Sequence, residues 1–182
     1  MNSSHKANSE ENSNTAMEYW YFAYGSNLLV DQMRNRLGAE FVAEQASEAV
    51  TCEPTTIDLA PRVVKLPNHC VDFSMLSTNG QHYANIVPAD QDALGVIYRC
   101  SSRGFELLDT FEAGYLRVIK QVYDTAGQAY DAMVYVAKPE SLSASGKPSV
   151  EYLSRILQGG RAHRLPQEYL NQLIATASCI NA

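Results

Sequence analysis

The run Tyr19-Trp20-Tyr21-Phe22-Ala23-Tyr24, followed at once by Gly25-Ser26-Asn27, constrains this chain more than any other segment. All but one of its residues are aromatic, which suits a buried strand. It is far shorter than the ~20 apolar residues that a spanning helix needs. Gly25-Ser26-Asn27 supplies turn chemistry. Beyond it Leu28, Leu29, Met33 and Leu37 recur at near-helical spacing up to Gly38, where a glycine cap would end a helix. The reading is therefore strand, tight polar loop, helix.

Around this opening lies enough sequence for one ordinary domain, 182 residues with 46% hydrophobic and 19% charged. Residues 1–16 stand apart. Half of them are Asn or Ser, with little apolar surface to offset the entropy of ordering, so they are expected to be a disordered N-terminal tail, with a single domain over 17–182. A formal net charge of −6 argues against nucleic acid or an anionic membrane as a general partner.

The N-terminus shows no apolar stretch behind a basic start, which predicts no secretory signal. Cys52, Cys70, Cys100 and Cys179 are scattered, without the short spacings of a zinc site. His69-Cys70 is the one close Cys/His pair, and adjacent side chains point apart. Reduced cysteines in a cytoplasmic protein, with no metal and no cofactor, are the expectation.

Downstream, Glu40–Ala46, Val50–Leu59 and, with interruptions, Val63–Phe73 look extended. Weak periodicity and Pro67 predict edges or loops over Pro61–Gly80. Tyr83–Val87 and Asp92–Cys100 read as strands. Ser101-Ser102 offers caps for a short helix with Phe105, Leu107, Leu108 and Phe111, ending at Ala113-Gly114. Tyr115–Tyr123 and Ala129–Ala137 form a hairpin across Thr125-Ala126-Gly127. A connector, Pro139–Ser149, leads to a helix holding Val150, Leu153, Ile156 and Leu157. Gly159-Gly160-Arg161 is read as the turn before a last helix from Pro166 to about Ser178. The fold class is α+β: a small mixed or antiparallel β-barrel with peripheral α-helices.

Three groups could carry chemistry. A strand-to-helix loop at Tyr24-Gly25-Ser26-Asn27 can present backbone N–H groups to an anion, or Ser26 and Asn27 can be simple helix caps. Glu112 falls at a helix exit beside Phe111, where apolar surroundings would raise its pKa toward that of a useful base; a surface glutamate is the alternative. Glu106 and Asp109 are expected on a solvated face. Tyr115, Tyr135 and Tyr152 stand where a phenol can enter a cleft or merely pack. No phosphate-binding loop, nucleophile elbow or metalloprotease motif occurs, and His5, His69, His82 and His163 have no nucleophile partner.

Tyr21-Phe22-Ala23-Tyr24-Gly25-Ser26-Asn27-Leu28 resembles the signature loop of the gamma-glutamylcyclotransferases and their superfamily. Gly95-Val96-Ile97-Tyr98 is similar to that family's G-V-x-[WY] strand. Leu107-Leu108-Asp109 with Glu112 and Tyr115 resembles its L-D-x-x-E-G…Y element, although Ala113 separates Glu112 from Gly114. Pro148-Ser149-Val150-Glu151-Tyr152 and Leu165-Pro166-Gln167-Glu168-Tyr169 are similar to P-S-x-x-Y and L-P-x-E-Y. The resemblance covers about residues 19–174, with a divergent stretch near 50–82.

The resemblance implies a barrel-centred fold with a surface cavity, and conversion of a gamma-glutamyl amino acid or amine into 5-oxoproline and the free amine. It makes Glu112 the general acid/base. Tyr21, Phe22, Ala23, Tyr24, Gly25, Ser26, Asn27, Tyr115, Tyr135 and Tyr152 become substrate-binding residues. The partner is a small gamma-glutamyl molecule, with the oligomeric state open and a homodimer among the options. A non-catalytic binding module of the same fold, or a relative acting on another gamma-glutamyl conjugate, are the competing readings.

Overall fold

A computed structural model describes residues 18–38 and 61–178. The tail over 1–16, the segments Glu40–Ala46 and Val50–Leu59, and Cys52 and Cys179 lie outside the described residues. The strands are β1 (Glu18–Ala23), β2 (Arg62–Leu66), β3 (His69–Leu76), β4 (His82–Pro88), β5 (Ala93–Ser101), β6 (Tyr115–Asp124) and β7 (Ala129–Ala137). The helices are α1 (Val30–Leu37), α2 (Ser102–Phe111), α3 (Val150–Ala162) and α4 (Gln167–Ser178), with 3-10 turns at Ser26–Leu28 and Pro139–Ser141.

Five strands close into a barrel in the order β1-β5-β2-β6-β7, and β3-β4 forms a separate two-stranded sheet. Every barrel pairing is antiparallel except the closing one, where Trp20 and Tyr21 of β1 run parallel to Ala132 and Met133 of β7. This is the small mixed barrel with peripheral helices that the sequence suggested. Closure removes free sheet edges.

The aromatic run earns its burial on both faces of β1. Tyr21, Phe22, Ala23 and Tyr24 are all 5% exposed or less. Around them Leu28, Met33, Ile97, Tyr98, Phe105, Leu108, Ile156 and Leu170 complete a continuous core. Each such large side chain contributes about 1.5–3 kcal/mol by leaving water.

The stretch read as extended with interruptions, and as edges or loops, holds two strands, and β3 is an edge because its sheet has only two strands. Pro67 occupies the turn between them, with Asn68 at φ 57°, so it interrupts no ladder. β2 is an inner barrel strand between β5 and β6. Its weak alternation arises because Lys65 reaches out to Asp92 at 2.8 Å while its neighbours Val64 and Leu66 are buried. Past the turn, β3 and β4 continue as an arm folded back over the barrel. Buried Asn85 fastens it, donating to Ser74 Oγ at 3.0 Å and accepting the Ala137 N–H of β7 at 2.9 Å.

Ser101 caps α2 as expected, its Oγ accepting the Gly104 N–H at 3.0 Å. Leu116 and Ile119 of β6, on opposite faces of the strand, are 48% and 66% exposed. A second correction concerns Gly159-Gly160-Arg161, which is no turn. Helix α3 runs through it to Ala162, because the glycines sit at contacts that admit no side chain. A Cβ on Gly159 would lie 2.4 Å from the backbone carbon of Leu28, and one on Gly160 2.6 Å from Leu170 Cδ2. Val150, at the start of this helix, is 76% exposed rather than packed. Among the described residues, no helix is long and apolar enough to cross a membrane.

Candidate active site

A cavity of about 260 Å³ opens between the end of β1, the β3–β4 arm, the exit of α2 and the first turns of α3. Its volume lies near the lower end for small-molecule sites. Tyr21, Tyr24, Gly25, Ser26 and Asn27 form one wall. Met75, Ser77, Tyr83 and Ala84 come from the arm, Phe111 to Tyr115 from the exit of α2, and Arg36, Tyr135, Tyr152 and Arg155 complete the lining.

The β1–α1 loop is not a helix cap. Helix α1 begins after Leu29 with no side-chain cap, and Ser26 and Asn27 belong to the preceding 3-10 turn. Both side chains are buried and bonded inward. Asn27 Nδ2 donates to Tyr21 Oη at 2.7 Å and to Glu112 Oε1 at 3.4 Å. Gln32 Nε2, one turn into the next element, donates to Asn27 Oδ1 at 3.1 Å and also holds Ser26 Oγ. Tyr98 donates its phenol proton to the Asn27 carbonyl at 3.1 Å.

Glu112 is the residue after α2, at φ −110° and ψ 35°. The Tyr115 N–H returns to its carbonyl at 2.9 Å, so the turn aims the carboxylate into the cavity. Arg36 of α1 donates to Glu112 Oε1 at 2.6 Å and lies over the Phe111 ring at 4.8 Å. Both contacts from neighbouring side chains fall on Oε1. Among the described residues none reaches Oε2, which is left for a ligand. Burial raises the Glu112 pKa above the ordinary glutamate value, and Arg36 and Asn27 pull against that rise without cancelling it.

The tyrosines around it are of another kind. Burial lifts the phenols of Tyr21, Tyr24, Tyr115, Tyr135 and Tyr152 well above their usual range. They remain protonated and act as hydrogen-bond donors. Tyr24 donates to the Tyr135 carbonyl, Tyr115 to the Ala84 carbonyl at 2.7 Å, and Tyr135 to Asp109 Oδ1 at 2.7 Å. The Tyr152 oxygen accepts the Ala84 N–H at 3.2 Å. Its own proton is thereby left to point elsewhere.

Of the residues singled out from sequence, Tyr21, Tyr24, Gly25, Ser26, Asn27, Glu112, Tyr115, Tyr135 and Tyr152 come together at this cavity. Phe22 and Ala23 do not. They are fully buried in the core, since alternation along β1 turns Phe22 away from Tyr21, and the Ala23 methyl is enclosed. Glu106 and Asp109 are exposed and paired with Arg103 and Arg117, and Asp109 also receives the Tyr135 phenol. Sequence reasoning missed Arg36, Gln32 and Arg155. For Arg36 no local signal existed, because the carboxylate it holds lies 76 residues away in the sequence. Cys70 and Cys100 are free thiols. Among the described residues, no three His, Cys, Asp or Glu side chains cluster to hold a metal.

The sequence over residues 92–173 matches the AIG2-like family. No curated protein sequence matches the chain significantly. Among solved structures, a gamma-glutamyl cyclotransferase superimposes with a TM-score of 0.68 at 22% identity, covering 87% of this chain and 88% of its own. An uncharacterized human protein does so with a TM-score of 0.66 at 22% identity, covering 87% of each chain. YkqA from Bacillus subtilis follows with 0.67 at 16% identity, over 91% of this chain and 56% of its own. The fold is the gamma-glutamylcyclotransferase-like one, in agreement with the resemblance carried by the sequence motifs.

Proposed function

We propose that this chain, built on the gamma-glutamylcyclotransferase-like fold, is an enzyme that converts a gamma-glutamyl amino acid or amine into 5-oxoproline and the free amine. The observation that carries the reading is the state of Glu112. Its carboxyl is buried at a cavity, fixed through Oε1 by Arg36 and Asn27, and open at Oε2. The phenols that surround it are too weakly acidic to compete as proton carriers.

The chemistry follows from that placement. Glu112 Oε2 takes a proton from the substrate's α-ammonium, and the freed amine attacks the γ-carbonyl carbon. The new C–N bond closes a five-membered ring, and the carbonyl electrons move to oxygen. Their return expels the leaving nitrogen, which collects that proton from Glu112; Glu112 then takes the second proton from the new ring nitrogen, and the departing amine carries it off as an ammonium. One C–N bond forms, one breaks, and no water is consumed. Because the nucleophile is tethered, the protein's main tasks are to fold the glutamyl chain and to shuttle protons from the attacking to the leaving nitrogen. The protonated Tyr21 and Tyr152 and the loop backbone supply donors for the carboxylate and the developing oxyanion.

Incubating the protein with a panel of gamma-glutamyl amino acids and amines and measuring 5-oxoproline tests this directly. Product that depends on Glu112 supports the reading. Binding without product across the panel would make the chain a binding module, and the reaction would fall.

A further inference from the structure

Arg155 lies on α3 one turn beyond Tyr152 and on the same helix face. Helical side chains lean toward the N-terminus, here toward Tyr152 and the mouth of the cavity that Arg155 helps to line. It is exposed, and among the described residues it has no hydrogen bond, ion pair or ring contact. Glu151, four residues earlier on the helix, makes no ion pair with it. Among the described residues, the other ionised side chains lining the cavity are Arg36 and Glu112, and those two neutralise each other at 2.6 Å. The described lining therefore carries one uncompensated positive charge, in a chain whose formal net charge is −6.

This inference rests on the proposed reaction and adds its substrate class. A gamma-glutamyl amine has one α-ammonium and one α-carboxylate, and is neutral overall. A gamma-glutamyl amino acid has a second carboxylate, on the leaving amine. Ring closure curls the glutamyl part into a compact unit, so the leaving group is the part that extends, and the open mouth is where it has room. We infer that Arg155 is a specificity-determining residue that receives the carboxylate of the leaving amine, so that gamma-glutamyl amino acids are taken in preference to gamma-glutamyl amines. A guanidinium fork suits a carboxylate bidentately, and a free one at the mouth has no other task on this surface.

The experiment compares gamma-glutamyl-alanine with gamma-glutamyl-ethylamide, which differs by the leaving-group carboxylate alone. Calorimetric affinities are measured on Glu112→Gln, with and without Arg155→Ala and Arg155→Lys. The same preference is read as the kcat/KM ratio with Glu112 intact. With Arg155 present, alanine should be preferred by about tenfold, the low end for a charge-assisted contact at an exposed position. Arg155→Ala should abolish the preference, Arg155→Lys should restore part of it, and added salt should shrink it. Equal weakening of both ligands by Arg155→Ala would assign Arg155 to the glutamyl carboxylate and overturn the inference. So would a preference that survives the substitution, or wild-type protein that binds neither ligand. Wild-type protein that shows the Arg155-dependent binding preference but releases no 5-oxoproline would instead remove the proposed reaction and leave this inference standing.

Discussion

Arg36 Nη1 and Glu112 Oε1 are 2.6 Å apart, a guanidinium from α1 against a carboxylate at the exit of α2, with side chains only 20% and 14% exposed. Two opposed effects meet on that carboxylate. Loss of water disfavours its charge, while Arg36 and Asn27 favour it, and burial prevails. The ion pair holds the carboxyl in place and tempers a basicity that burial alone would set higher.

Replacing Arg36 by Met should therefore raise the Glu112 pKa further. The carboxylate form is needed to take the amine proton, so the acid limb of the kcat/KM profile should move to higher pH. Activity should be lost first on the acidic side and recover as pH rises. A pH–rate profile of Arg36→Met checks this, and a limb that stays put or moves to lower pH would show that Glu112 is not the titrating group.

Glu112→Gln removes the proton acceptor and keeps an amide oxygen for Arg36 and a similar shape. A positioned general base contributes about 10²–10⁴-fold, so 5-oxoproline formation should fall by that range while circular dichroism and melting stay near wild type. A Gln variant within a factor of about three of wild type would place the proton transfer on another residue.

What could be read from sequence was local. The Tyr19–Asn27 run announced a buried strand and a tight polar turn, which lines the cavity, because both are written in consecutive residues. Tyr152 was legible because it sits just inside a capped helix start. Arg36 was not, because its meaning comes from Glu112, 76 residues away, and no spacing rule connects α1 with the exit of α2. Phe22 and Ala23 were swept in by belonging to the motif, whereas strand alternation and core enclosure separate them from the cavity. The β2–β3 stretch misled because Pro67 reads as a strand breaker and is in fact a turn residue between two strands in different sheets. Gly159-Gly160 misled for a related reason. Glycine punctuates a helix in solution, but here tertiary contact with Leu28 and Leu170 calls for it mid-helix.

Tyr152→Phe should weaken substrate affinity by about three- to tenfold, the effect of one neutral hydrogen bond, with a smaller effect on turnover. The phenol oxygen accepts the Ala84 backbone N–H, so the proton it would give a ligand is the one it does not use internally. Steady-state kinetics separate the cases. A loss as large as that of Glu112→Gln would put Tyr152 on the proton path, and no loss would make it a packing residue.

Gly25 faces that phenol across a space with no room for a side chain. A Cβ there would stand 3.0 Å from Tyr152 Oη and 3.5 Å from Ala84 Cβ. Its backbone, at φ −104°, does not require glycine, so the constraint is space rather than conformation. Gly25→Val should displace Tyr152 and abolish ligand binding while circular dichroism remains unchanged. Wild-type affinity in the folded variant would show that the loop and Tyr152 do not meet the ligand.

Gly159→Ala sets two magnitudes against each other. In an exposed helix interior, Ala for Gly gains about 1 kcal/mol from helix propensity. Here the added methyl would lie 2.4 Å from the Leu28 backbone carbon and 2.5 Å from the Leu29 nitrogen, atoms that no rotamer change can move aside. The helix or the 3-10 turn must shift as a body, and the His163 contact to the Leu28 carbonyl at 2.8 Å, four residues on, holds the two together. Overpacking of this kind costs about 1–3 kcal/mol and here meets backbone, so it should outweigh propensity. With the helix gain set against it, the net cost is up to about 2 kcal/mol, and at ~2–4 °C per kcal/mol for a chain this size the melting temperature should fall by up to about 8 °C. Gln158→Ala, on the exposed face next door, gives the comparison and should change it little. Because the 3-10 turn carries Asn27, whose amide reaches Tyr21 and Glu112, the Gly159 variant should also lose 5-oxoproline formation at temperatures where it is still folded. A Gly159→Ala protein that melts higher than wild type would mean that α3 does not press on the loop, and the route from this helix to the site would have to be redrawn.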